Sequence, residues 1–100
     1  MNYTTQEQSN KLLELKLSPK TADIIKDGLP RWSTDAIESI LPKYIIPNGE
    51  DIKHHFYIKR LNGDKYQVGY GIYGEVVRNN LFEALYQMLC YLLEDEFINQ

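Results

Sequence analysis

Cysteine is almost absent from this 100-residue chain: Cys90 is the only one. An intrachain disulfide is therefore excluded, and so is a zinc site built on several thiolates. Histidine is scarce too, with only the adjacent pair His54 and His55. Neighbouring strand residues point to opposite faces, so these two do not readily share one metal ion. A basic excess is missing as well. The formal net charge is −3, with six basic and eight acidic groups up to Asp51 and five and six after it. Binding to nucleic acid draws much of its affinity from cations set against phosphate, so a broad nucleic-acid face is not expected on average charge alone. No stretch reaches 18 uncharged apolar residues, which argues against a membrane span. The start, MNYTTQEQSNKLLELK, lacks a basic segment followed by an apolar run and does not read as a signal peptide. A reduced lone thiol and no leader point to a cytoplasmic setting.

What is present is ordinary globular material, with 43% apolar and 25% charged residues. The length fits a single domain over residues 1–100. The pattern reads as α+β: short N-terminal helices, an antiparallel β-hairpin or three-stranded meander, and a long C-terminal helix packed on the sheet. Thr4 with Glu7 suits a capping box opening a helix over Thr5–Lys16. Ser18 before Pro19 caps a second helix over Pro19–Lys26, ended by Gly28, with Ala22 and Ile25 facing the core. Ser33 caps a third helix running to Leu41, and Trp32 and Ile37 are spaced as a hydrophobic staple. Pro47-Asn48-Gly49 marks a turn.

From Ile52 the period changes to two. Ile52, His54, Phe56 and Ile58 share one strand face, matched by Tyr66, Val68, Tyr70 and Ile72 on the next strand. A three-residue loop, Leu61-Asn62-Gly63, pairs Ile58 with Tyr66 and Phe56 with Val68 and gives Gly63 a left-handed position. Glu75-Val76-Val77 is a candidate third strand. Asn80 with Glu83 caps the last helix, which is expected to reach Phe97. That helix is apolar over roughly 260° of its circumference, whereas a surface helix needs little more than 100°. Water must therefore be kept from it on more than one side, by the N-terminal helices, by a second chain, or by both.

Chemistry-bearing constellations are sparse. Gly69-x-Gly71-x-x-Gly74 has the spacing of a dinucleotide-binding loop but lacks the strand, turn and helix that such a loop opens. Glu94-Asp95-Glu96 reads as a solvated run at a helix end, and Cys90 as a buried inert thiol. The first two helices have the spacing of a helix-turn-helix, but the second carries as many acids as lysines. No catalytic, cofactor or metal residue is singled out, and no enzymatic activity is expected. Tyr57, Tyr70 and Tyr73, near Lys59, Arg60 and Arg78, form a candidate aromatic-basic surface for a partner. Arg31 with Trp32 is a second candidate contact pair. Tyr86 and Tyr91 are a third, on the broad face of the last helix.

Three segments together carry a resemblance. They are Thr5-x-Glu7-Gln8-Ser9 with Leu12-Leu13-x-Leu15 and Thr21-Ala22-Asp23; Leu29-Pro30-x-Trp32-Ser33 with Ile40-Leu41-Pro42; and Asn80-Leu81-x-x-Ala84-Leu85-Tyr86-x-Met88-Leu89 with Leu92-Leu93. In that order they resemble a family of small uncharacterised proteins of gut Bacteroidetes genomes, often encoded in phage or other mobile elements. The resemblance implies an α+β fold, a cytoplasmic setting and a mobile-element origin, and it implies no activity. Lys16 stands where a glycine is common in that family, and Asp23 to Leu29 is short where relatives often carry an insert, so no extra strand is expected there. The expected function is that of an adaptor or accessory protein binding an unknown protein or itself as a homodimer. The alternative is a nucleic-acid-associated regulator of a mobile element.

Overall fold

The computed structural model describes residues 2–98. The fold is α+β. The chain divides into two compact units: residues 42–88, and residues 1–41 together with 89–100.

In the first unit by chain order, helix α1 spans Gln6–Glu14. Its cap is Thr5, not Thr4. The Thr5 hydroxyl accepts from the Gln8 amide at 3.1 Å, and Gln8 Oε1 accepts from the Thr5 amide at 2.9 Å. Thr4 is unavailable as a cap because it pairs elsewhere: its amide donates to the Trp32 carbonyl at 2.9 Å, and its hydroxyl accepts from the Trp32 amide at 3.0 Å. Helix α1 ends in a reverse turn. The Leu17 amide bonds the Leu12 carbonyl at 3.0 Å and the Lys16 amide bonds the Leu13 carbonyl at 2.9 Å. Lys16 sits at φ 68°, the left-handed position that glycine normally fills in this motif.

The expected second helix shrinks to one 3₁₀ turn, Pro19–Thr21, capped by Ser18 as anticipated. Beyond it lies a hairpin: strands β1 (Ile24–Lys26) and β2 (Leu29–Arg31). Lys26 pairs with Leu29 across Asp27-Gly28, both at positive φ. Asp-Gly with two left-handed residues is the favoured two-residue hairpin turn, and the β-branched Ile24-Ile25 suit a strand. Gly28 is thus a hairpin residue rather than a helix stop, and Ile25 is exposed rather than in the core. Helix α2 spans Thr34–Ile40, with Ser33 accepting from the Ala36 amide at 3.1 Å. Trp32, Ile37 and Leu41 are buried, while Ile40 is half-buried.

In the unit of residues 42–88, a four-stranded antiparallel sheet has the order β3-β4-β5-β6. The strands are β3 (Tyr44–Ile45), β4 (His54–Leu61), β5 (Lys65–Tyr70) and β6 (Gly74–Arg78). Strand β6 is the expected third strand; β3 was not foreseen. In β4 and β5, Ile58 faces Val68 and Phe56 faces Tyr70. The three-residue loop is Asn62-Gly63-Asp64 rather than Leu61-Asn62-Gly63, so the expected pairing is shifted by two residues. A shift of two keeps every side chain on its expected face. Both Gly63 and Asp64 take positive φ, which aspartate tolerates better than most residues. The inner face carries Phe56, Val68, Tyr70 and Val76, and helix α3 (Leu81–Glu94) packs on this sheet.

The Asn80 side chain accepts from the Glu83 amide at 2.8 Å, opening α3 as expected. The helix stops at Glu94, short of Phe97. The Phe97 amide bonds the Leu92 carbonyl at 2.9 Å, with Glu96 at φ 61°. The acidic run thus forms a second reverse turn. Phe82, Ala84, Leu85, Met88, Leu89, Cys90, Leu92 and Leu93 are all buried. Of the broad apolar arc, Tyr91 stays exposed and Tyr86 half-buried.

A non-glycine residue held left-handed loses about 1 kcal/mol or more relative to glycine. Lys16→Gly should therefore raise stability by roughly 0.5–1 kcal/mol in urea unfolding, net of glycine's larger unfolded-state entropy. A loss of stability would contradict the assigned turn.

Candidate interaction surface

The candidate contact residues fall into three environments. Arg31 and Trp32 lie in a polar knot of the N-terminal segments. Trp32 is fully buried, and its indole N–H donates to the Thr21 hydroxyl at 2.9 Å. The Ser33 amide donates to Asp23 Oδ1 at 3.0 Å, and the Ser33 hydroxyl donates to Asp23 Oδ2. The Arg31 guanidinium donates to the Thr4 carbonyl at 2.9 Å, and Thr4 and Ser9 share a buried hydroxyl–hydroxyl bond of 2.7 Å. Thr21-Ala22-Asp23 and Leu29-Pro30-x-Trp32-Ser33 are thus tied directly to one another. Their residue types follow from satisfying buried donors. Trp32 presents no surface to a partner, and Arg31 is half-buried and engaged.

Tyr70 is fully buried as well. Its hydroxyl donates to the Pro42 carbonyl at 2.8 Å, and its ring meets Phe56 at 5.3 Å between centroids. Burial makes it a weaker acid, its pKa pushed well above the usual tyrosine range. Tyr57 lies on the outer face, across Gly69. A Cβ on Gly69 would sit 2.6 Å from the Gly74 carbonyl oxygen and 2.8 Å from the Tyr57 hydroxyl, so that position needs glycine. Gln67 Nε2 bridges the Tyr57 hydroxyl at 2.7 Å and Glu75 Oε2 at 2.6 Å, a polar ladder across three strands. Gly71, at φ 53°, closes against His54. The three glycines of the dinucleotide-like spacing are thus occupied by strand packing and a hairpin turn, and no helix opens at them. His54 is buried, with Nε2 2.9 Å from Glu50 Oε1.

Tyr73, by contrast, is exposed at the end of the sheet. The β4–β5 register continues beyond Phe56–Tyr70, and the Gly71 amide donates to the His55 carbonyl at 3.0 Å. The β5–β6 turn therefore lies beside the start of β4, where Tyr73 stands 6.3 Å from the His54 ring. Strand β3 joins there too, with Tyr44 opposite His55 and Ile45 opposite His54. This end of the sheet exposes Tyr44, Ile46, Ile52, Ile72 and Tyr73, with Ile72 at 95% and Ile52 at 66% of full exposure. The sequence pattern placed Ile52 and Ile72 inside, because it could not show that both strands stop short of them. Arg78 is exposed at the opposite end, its guanidinium donating to the Val77 carbonyl at 2.8 Å. Tyr86 is half-buried on α3 and Tyr91 is exposed.

Among the described residues no group of three or more histidine, cysteine, aspartate or glutamate side chains is placed to hold a metal ion. No helix in them is long and apolar enough to cross a membrane. Comparison with protein-family models, curated proteins and solved structures finds no match.

Two outcomes test these placements. Asp23→Ala removes the acceptor of a buried amide and a buried hydroxyl and should cost about 1–2 kcal/mol in urea unfolding, with Asp23→Asn costing less. A change below about 0.5 kcal/mol would contradict the knot. The raised pKa of Tyr70 means that the folded state keeps its proton when the unfolded chain loses it. Stability is thus unaffected by Tyr70 below about pH 10 and falls above it, by up to about 1.4 kcal/mol per pH unit. Tyr70→Phe should flatten that alkaline slope, and an unchanged slope would contradict the burial.

Proposed function

We propose that this chain is a non-enzymatic, cytoplasmic adaptor or accessory protein that acts through protein–protein contacts. The observation that carries the reading is the apolar end of the sheet, where Ile72 is almost wholly exposed and Ile52, Ile46, Tyr44 and Tyr73 are exposed as well. Single apolar side chains are normal on a surface, whereas several large ones at one end of a sheet suit an interaction site. Glu50, Asp51, Lys53 and His55 lie near Ile52 in sequence. Lys53 lies 4.6 Å over the Tyr44 ring, and His55 lies 5.9 Å from it. Aromatic residues beside aliphatic ones are the composition of interface centres. The reading shifts the contact surface from the last helix, whose apolar side chains are mostly buried, to the end of the sheet. The resemblance to mobile-element proteins fits a small accessory role of this kind and names no partner.

The test is affinity capture from the native host, with and without nuclease, using the wild-type chain and an Ile52→Lys, Ile72→Lys double variant. Both substituted positions are largely exposed, so the variant should unfold within about 1 kcal/mol of wild type. A protein retained by the wild type after nuclease and lost by the variant is expected. Light scattering at micromolar concentration covers the homodimer case, in which the wild type is larger than the variant. Equal recovery by both chains, with both strictly monomeric, would overturn the proposal.

A further inference from the structure

The other end of the same sheet carries a different chemistry. Arg60 pairs with Tyr66 and Tyr66 pairs with Arg78, so the three stand side by side across β4, β5 and β6. The row is about 10 Å wide, since neighbouring strands lie about 4.8 Å apart. It shares a face with Val68 and Val76, which are buried; Tyr66 itself is half-buried and the flanking arginines are exposed. The Arg60 side chain is 70% exposed, Ile58 in the adjoining row is 41% exposed, and Arg78 is exposed. The Arg60 guanidinium sits over the Tyr66 ring, 6.0 Å from its centroid. Lys59 and Lys65 belong to the same hairpin but alternate onto its other face, and Asp64 is the only acid between Ile58 and Tyr66. The chain's overall negative charge thus conceals a local cationic excess.

Two arginines flanking a tyrosine in one cross-strand row suit an anionic polymer that also presents flat faces. Guanidinium binds phosphate oxygens in a fork, and both the tyrosine ring and the guanidinium plane stack on bases. An acidic peptide would use the cations and leave the ring without a role. We propose that Arg60, Tyr66 and Arg78 form a binding row for single-stranded nucleic acid, with little sequence preference. This goes beyond the protein-contact reading and lies at the opposite end of the sheet, so either can fail alone. The Arg60–Asp64 ion pair, 3.4 Å long and largely exposed to water, opposes the row weakly and yields when a phosphate arrives.

The test is fluorescence polarisation of a labelled 12-nucleotide oligo(U) with the full chain at low salt. Binding in the range of about 1–100 μM is expected, weakening with salt by about 0.7 log units per log unit for each phosphate neutralised. Arg60→Ala and Arg78→Ala should each weaken binding several-fold and reduce that slope. Tyr66→Leu should weaken binding about fivefold or more with the slope unchanged, Tyr66→Phe should retain it, and Asp64→Asn should tighten it. Ile72→Lys at the apolar end should not weaken it. If Tyr66→Leu fails to fold, the fluorescence of a 2-aminopurine base in the oligomer reads stacking on the wild type instead. Three results would overturn the proposal: no binding at low salt, a labelled oligo-glutamate bound as tightly as oligo(U), or no stacking signal by either route.

Discussion

The pairing of β4 with β5 and of β5 with β6 is the constraint on which the candidate surfaces depend. Side chains alternate along a strand, so one register decides which residues are inside, which lie on the outer face and which stand at the ends. With Ile58 opposite Val68 and Val68 opposite Val76, an apolar row is set on the inner face. The same arithmetic puts Tyr57, Gln67 and Glu75 on the outer face, where they form a polar ladder. It also brings Arg60, Tyr66 and Arg78 into line at one end and the β5–β6 turn beside the start of β4 at the other. A sheet with one dry face and one wet face is usual for antiparallel pairing. What distinguishes this one is that its two ends are unlike, one apolar and one cationic.

Helix α3 is the second constraint. Residues up to Met88 belong with the sheet and those from Leu89 with the N-terminal segments, so its residues are divided between the two compact units. The polar knot of Thr4, Thr21, Asp23, Trp32 and Ser33 plays the corresponding part in the N-terminal segments, where short elements hold little apolar surface. There, hydrogen bonds to buried donors fix the path of the chain.

Much of this architecture is legible in the residues. Ser18, Ser33 and Asn80 cap where their side chains suggest, because a helix start is a local problem solved within four residues. The faces of β4 and β5 follow from alternation alone. The misreadings have identifiable causes. Thr4 loses its cap to Thr5 because it pairs with Trp32, 28 positions away, which no local pattern discloses. Gly28 suggests a helix stop, although Asp27-Gly28 is a strong hairpin signal; Pro19 and the preceding serine argue for a helix and are satisfied by a single turn. The hairpin loop moved by one residue because Asp64, and not Gly63 alone, accepts a left-handed conformation. Of the candidate contacts, Trp32 and Tyr70 are enclosed. Tyr66, which stands between two arginines, could be singled out only once the register was known, and Ile52 and Ile72 only once the strand ends were.

The central claim is therefore the register itself, and interstrand nuclear Overhauser effects in the labelled protein test it most directly. Facing pairs Ile58–Val68 and Arg60–Tyr66 in β4 and β5, with Tyr66–Arg78 in β5 and β6, are expected. Cross-peaks that instead place Ile58 opposite Tyr66 would shift both ends of the sheet and contradict the account.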